Sequence, residues 1–190
     1  TPDGKTMYFS RESFFENIYE KDSLSNTKIS VLHLFKATKD SDGFSEVEAL
    51  TINSPNYSIK NPSVSADGSM IYFASDMPGG YGKFDIYKAT LDANGNVGTP
   101  ENLGQKVNTE GQEMFPYISS DNTLYFSSTG HLGLGGMDVF HTKEIDGKMA
   151  PIRNAGTPIN SNGDDFAFRM NEETGEGFVS SNREGGKGSD

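Results

Sequence analysis

Asp85, Asp138 and Asp190 recur at spacings of 53 and 52 residues, each directly downstream of a glycine-rich run. Carboxylates placed this way could act as acids, metal ligands or hydrogen-bond acceptors. A residue that returns once per repeat is read as an acceptor that ties a strand to the loop before it. A second acidic set, Glu110, Glu113, Asp164 and Asp165, is accompanied by Gln112 and could offer clustered oxygens to a hard cation. No EF-hand spacing supports calcium. Asp40-Ser41-Asp42-Gly43 begins like a calcium loop but lacks the later ligands and aligns with the turn Asp92-Ala93-Asn94-Gly95. We therefore expect no metal and no cofactor.

The enzyme signatures fail in turn. There is no G-x-S-x-G elbow, no H-E-x-x-H and no phosphate loop, and Gly130-His131-Leu132-Gly133-Leu134-Gly135-Gly136 lacks the strand-to-helix setting of a dinucleotide loop. His131, in that loop, is the best single candidate for a pH-sensitive contact. His33 and His141 fall on strands, where packing is the plainer reading. Phe14 and Phe15 lie in a segment bounded by charges; they either cover a neighbouring loop or dock a partner. No catalytic residue is assigned, and an enzyme is not expected.

The elements that position these residues come from an internal repeat. Pro62-Ser63-Val64-Ser65-Ala66-Asp67-Gly68-Ser69-Met70-Ile71-Tyr72-Phe73 returns as Pro116-Tyr117-Ile118-Ser119-Ser120-Asp121-Asn122-Thr123-Leu124-Tyr125-Phe126, and Phe84-Asp85-Ile86-Tyr87 returns as Met137-Asp138-Val139-Phe140. Each unit reads as four short strands. The turn residues Asp67 and Asp121 follow the first strand, and the glycine-rich loop precedes the third, which starts at Asp85 or Asp138. Helical periodicity is not sustained anywhere. Four antiparallel strands per unit of about 50 residues predict an all-β, β-propeller fold. The expected divisions are a partial blade over 1–61 with an insertion at 11–31, blades over 62–113 and 114–165, and a partial blade over 166–190. This reads as an incomplete arc of a larger propeller.

The pattern P-x-[IV]-S-x-D-[GN]-x-x-[LI]-Y-F-[AS]-S followed by G-G-x-G-x-x-D-[IV]-[YF] resembles the TolB-type, WD-like propeller repeats of bacterial envelope proteins. Its long glycine-rich loop is most similar to propellers of Bacteroidota envelope proteins, in the outer-membrane-protein-A family and the type nine secretion system. The resemblance implies a periplasmic, outer-membrane-associated module. The first unit departs from it, because Arg11 to Val31 replace the glycine-rich loop and His33 stands at the Asp85 position.

Strand alternation sends the second-to-third-strand loops and the connections between units to one face, which is glycine-rich and acidic. With 27 acidic against 16 basic residues the chain carries a charge of -11, which argues against tracking nucleic-acid phosphates. It contains no Cys, and no stretch is apolar enough to cross a membrane as a helix. The expectation is a non-catalytic binding or assembly module whose acidic face meets a protein, peptide or glycan, with no nucleic acid partner. Alternatives are a propeller domain of a larger hydrolase, or a TolB-like translocation factor.

Overall fold

A computed structural model describes residues 1–21 and 28–186. Asp190 and part of the 11–31 insertion lie outside the described residues. Among the described residues, the regular structure apart from one short 3₁₀ turn at Ser13–Glu16 is all strand.

The first sheet holds β1 (Thr6–Glu12), β4 (Leu32–Asp40) and β5 (Gly43–Ala49), with a small ladder of β2 (Glu20–Lys21) and β3 (Lys28–Ile29) in the insertion. The second holds β6 (Ile59–Val64), β7 (Met70–Ser75), β8 (Asp85–Thr90) and β9 (Glu101–Asn102) in that spatial order. The third repeats it with β10 (Glu113–Ile118), β11 (Thr123–Ser128) and β12 (Asp138–Ile145), flanked by β13 (Lys148–Met149) and β14 (Arg153–Asn154). The fourth pairs β15 (Asp165–Met170) with β16 (Gly177–Ser181). Neighbouring sheets meet through their first strands, β1 on β6, β6 on β10 and β10 on β15. The described sheets therefore form an arc of blades around the edge of these strands.

The Tyr-Phe pairs of β7 and β11 show why the blades stack. Successive strand residues point to opposite faces. Phe73 turns back into a cluster with Leu34, Ile59 and Tyr87, whereas Tyr72 turns forward into one with Met114, Leu124 and Phe126. Tyr125 likewise turns forward onto Phe168, with ring centroids 5.0 Å apart. No blade has a core of its own. The second and third blades bury both faces against their neighbours, which is how a chain only 33% hydrophobic forms two clusters of buried side chains.

In the first blade the outward ring is handled differently. Phe35 is buried beneath the Arg11 guanidinium, which lies 4.6 Å from its centroid and the same distance from that of Phe15. Part of the apolar area is thus covered by a planar cation stacked between rings.

A feature that the alternation pattern does not reveal is a bulge in the first strands of the second, third and fourth blades, β6, β10 and β15. The ladder shifts register between Lys60 and Ser63, Met114 and Tyr117, and Phe166 and Arg169. At its centre Asn61, Phe115 and Ala167 take φ of 55°, 52° and 56°. Asn tolerates this left-handed region, while Phe and Ala occupy it at a cost held by the surrounding ladder. The bulge lets the first strand of the second blade begin at Ile59, upstream of the expected Pro62.

Candidate functional site

The face carrying the long loops is built on buried acceptors at the starts of strands. Asp85 is 1% exposed, and its carboxylate accepts the N–H groups of Tyr81 at 2.7 Å and Gly82 at 3.0 Å and the Asn102 amide at 2.8 Å. Asp138, equally buried, accepts from Leu134 and Gly135 at 3.0 and 2.9 Å. A carboxylate folds each glycine-rich loop around itself because its lone pairs collect amide donors that would otherwise be buried unpaired. His33 performs the corresponding task in the first blade. Its Nδ1 lies 2.6 Å from a Glu16 carboxylate oxygen in the insertion and its Nε2 2.8 Å from the Ser54 carbonyl.

A second set of acceptors closes the connections between blades. Glu113 is fully buried and accepts the Thr109 N–H at 2.8 Å and the hydroxyls of Thr109 and Ser128 at 2.7 and 2.6 Å. Asp165 is also fully buried, and accepts from the Ser161 N–H and hydroxyl, the Ser181 hydroxyl and the Arg183 guanidinium at 2.5 to 2.8 Å. The two therefore serve successive blades in the same place, and neither reaches the surface of the face. Glu110 is exposed, Gln112 is half-buried, and Asp164 spends its oxygens on the Met137 N–H and the Asn182 amide at 2.9 and 2.8 Å. These carboxylates lie in two different connections. Among the described residues, no group of three or more His, Asp or Glu side chains is placed to hold a metal ion.

His131 is anchored through Nε2, which donates to the Val107 carbonyl at 2.8 Å, with its ring against Phe126 and Phe140 at 5.8 and 5.2 Å. Phe15 is 56% exposed beside Arg11; of Phe14 only the backbone, in the 3₁₀ turn, is described. The sequence-selected residues thus do not form one cluster.

Loop and connection are pressed together. Lys83 N–H bonds the Gly111 carbonyl at 2.8 Å and Glu113 N–H bonds that of Phe84 at 2.7 Å. A Cβ at Gly82 would run into the Thr109 and Gly111 carbonyl oxygens, and one at Gly135 into that of Gly163. These two glycines are required by close backbone approach.

Three asparagines that were not among the candidate site residues follow from the strand starts. Asn108 and Asn160, each 1% exposed, clamp Ile86 and Val139 by accepting the backbone N–H at 2.8 Å and donating to the carbonyl at 3.0 and 2.8 Å. Asn53 does the same to Leu34 at 2.8 Å. Their signal was the recurrence of Asn108 and Asn160 at an offset of 52 in the repeat. Equally, Leu132, Leu134 and Tyr81 escape a search for polar chemistry. They stand on the glycine-rich loops 97%, 54% and 43% exposed, and the cue was large apolar residues interleaved with Gly.

No family model and no curated protein matches the chain. Solved structures do. A protein described as putative TolB from Agrobacterium tumefaciens aligns with 95% of this chain at 19% identity and a TM-score of 0.58, over 52% of its own length. The fold is a β-propeller. Kuenenia stuttgartiensis hydrazine synthase aligns at 11% identity and a TM-score of 0.54, over 93% of this chain and 30% of its own. An alpha-L-arabinofuranosidase from Lactobacillus brevis gives 14% and 0.50, over 98% and 65%. The propeller arc described here spans about half the length of the first of these and less than two thirds of each of the others. No helix among the described residues is long and apolar enough to cross a membrane.

The turns on the opposite face hold depressed carboxyls. Asp67 accepts from the hydroxyls of Ser65 and Ser69 and the Ser69 N–H, which lower its pKa to about 2. Bonds from Ser119 and Thr123 lower Asp121 in the same way. Burial alone would raise Asp165, but its bonds to Ser181, Ser161 and Arg183 outweigh burial and lower it. A carboxyl depressed on folding stabilises the protein above its unfolded pKa of about 4 and loses that contribution as pH falls through its folded value. The urea midpoint should accordingly stay level from pH 7 to about pH 4.5 and fall steadily toward pH 2. A midpoint that rises below pH 4 would contradict these assignments.

Proposed function

We propose that the chain is a non-catalytic binding module of a bacterial cell-envelope protein, periplasmic and outer-membrane-associated, whose loop face docks a protein or peptide. The observation that carries this is Leu132, 97% exposed at the tip of a loop that Asp138 and the contact of Gly135 with Gly163 hold rigid. An apolar tip on a preorganised loop loses little entropy on docking, and Leu134, Tyr81 and the carboxylate of Glu110 extend the same face. This refines the acidic face expected from composition into an apolar centre beside acidic and amide groups, the usual arrangement of a docking patch.

The envelope setting is supported by the repeat pattern and by the shared fold with a protein described as putative TolB. The fold is equally that of a protein described as an arabinofuranosidase, so fold does not separate binding from catalysis. What favours binding is chemical. Asp85, Glu113 and Asp165 each have both carboxylate oxygens engaged by backbone or side-chain donors, which leaves them unsuited to moving a proton.

Leu132→Ser with Leu134→Ser should reduce capture of envelope proteins from an extract roughly tenfold or more, as expected for removing a hot spot. The melting temperature should hold within about 2 °C, since both residues are exposed. Undiminished capture by the folded variant would overturn the docking surface.

A further inference from the structure

Between the inner strands the fold leaves a cavity of about 430 Å³, lined among others by Met7, Tyr8, Ser63, Tyr117, Ile118 and Arg169. A second space of about 340 Å³ shares Tyr8, Pro62 and Arg169 with it and adds Asn61, Phe115 and Ala167, the residues at the centres of the three bulges. These spaces lie at the edge of the blades where the first strands converge, away from the loop face.

Two groups here have unused bonding capacity. Arg169 reaches from the fourth blade to the second, where one guanidinium nitrogen meets the Ser63 hydroxyl at 3.3 Å, and its plane lies 5.0 Å from the Tyr117 ring. No ion pair is formed by Arg169 among the described residues, although the chain carries 27 acidic side chains. Nearby Glu172 is taken by Tyr117 and Ser120. A guanidinium offers five N–H donors, and one long contact with a hydroxyl leaves most of them open. Asn61 supplies the complement, since its carboxamide oxygen is buried without a partner. A buried acceptor without a donor is costly, and a ligand N–H would relieve it.

We propose that this cavity binds a carboxylate that has an N–H donor close by, the chemistry of a peptide C-terminus. The carboxylate takes the guanidinium of Arg169 in the paired geometry that guanidinium favours. The amide N–H of the same residue meets Asn61, and Met7, Tyr8, Ile118 and Phe115 receive an apolar side chain. This site is separate from the loop-face reading, and either can fail without the other.

The test uses the chain with four probes, titrated by calorimetry or NMR: acetyl-Ala-Leu as the free acid, the same dipeptide as its C-terminal amide, acetate, and glucuronate. The free acid should bind at least tenfold more tightly than the amide and than acetate, as the loss of a hydrogen bond to a charged group implies. Arg169→Met keeps the apolar stem and should weaken the free acid by roughly tenfold or more. Asn61→Asp keeps a side chain that tolerates positive φ, sets a negative charge against the ligand and should weaken it similarly. Circular dichroism and melting establish that both variants are folded. Equal binding of acid and amide, or full binding by folded Arg169→Met, would overturn the proposal. So would no binding of the free acid by the parent chain. Acetate binding as tightly as the dipeptide would overturn the role of Asn61, and a preference for glucuronate would overturn the peptide assignment.

Discussion

Asn108→Ala should lower stability by about 3 kcal/mol, because it strips the buried Ile86 N–H of its acceptor and opens a small void at the start of β8. For a chain of this length that is a fall in melting temperature of roughly 10 °C. The Asn108 amide also donates to Asn102, whose own amide donates to Asp85, so the clamp, the outer strand and the loop acceptor form one network. Removing one member leaves the others partly satisfied, which is worse than a lost bond between exposed groups. Asn53→Ala, at the half-buried equivalent in the first blade, should cost less. A fall below about 2 °C for Asn108→Ala would mean that the clamp does not organise the blade.

Glu113→Ala should be of similar severity, about 3 to 4 kcal/mol, because three donors converge on this carboxylate and it is fully buried. The measurement that separates structure from recognition pairs melting with partner capture at a temperature where the variant is folded. A structural Glu113 predicts a melting temperature lowered by roughly 10 °C and capture retained per folded molecule. A Glu113 that contacts the partner predicts the reverse, with capture lost and melting unchanged. Asp165→Ala should behave alike, and should also release Arg183, which is held by Asp165 and by the Pro158 and Ile159 carbonyls.

The repeat makes the blade legible in the sequence, because strand alternation and Asp-Gly turns are local and an aspartate at each strand start can be recognised by its recurrence. The opposed roles of Tyr72 and Phe73 follow from the same alternation. Two things were not legible. The bulges at Asn61, Phe115 and Ala167 place three unrelated side chains in one backbone conformation, so composition does not signal them. The division of the acidic residues was hidden as well. Glu110 and Glu113 stand three apart in one loop, yet one is exposed and the other fully buried, and only the Thr109 and Ser128 donors in space decide which. Acidity along the chain therefore overstated the acidity of the face. Leu132 shows the converse, since a search of that loop for polar chemistry passes over an apolar residue that the fold leaves exposed.

In the function proposed above a partner docks on the loop face and not on the turn face. A photo-crosslinking residue at position 132 tests this against the same residue at position 145, since Leu132 and Ile145 are exposed at 97% and 57% on opposite faces of the third blade. Irradiation in an envelope extract should yield a discrete protein adduct from position 132 and none from position 145. An adduct from position 145 alone, or adducts of equal yield from both, would contradict the assignment of the face.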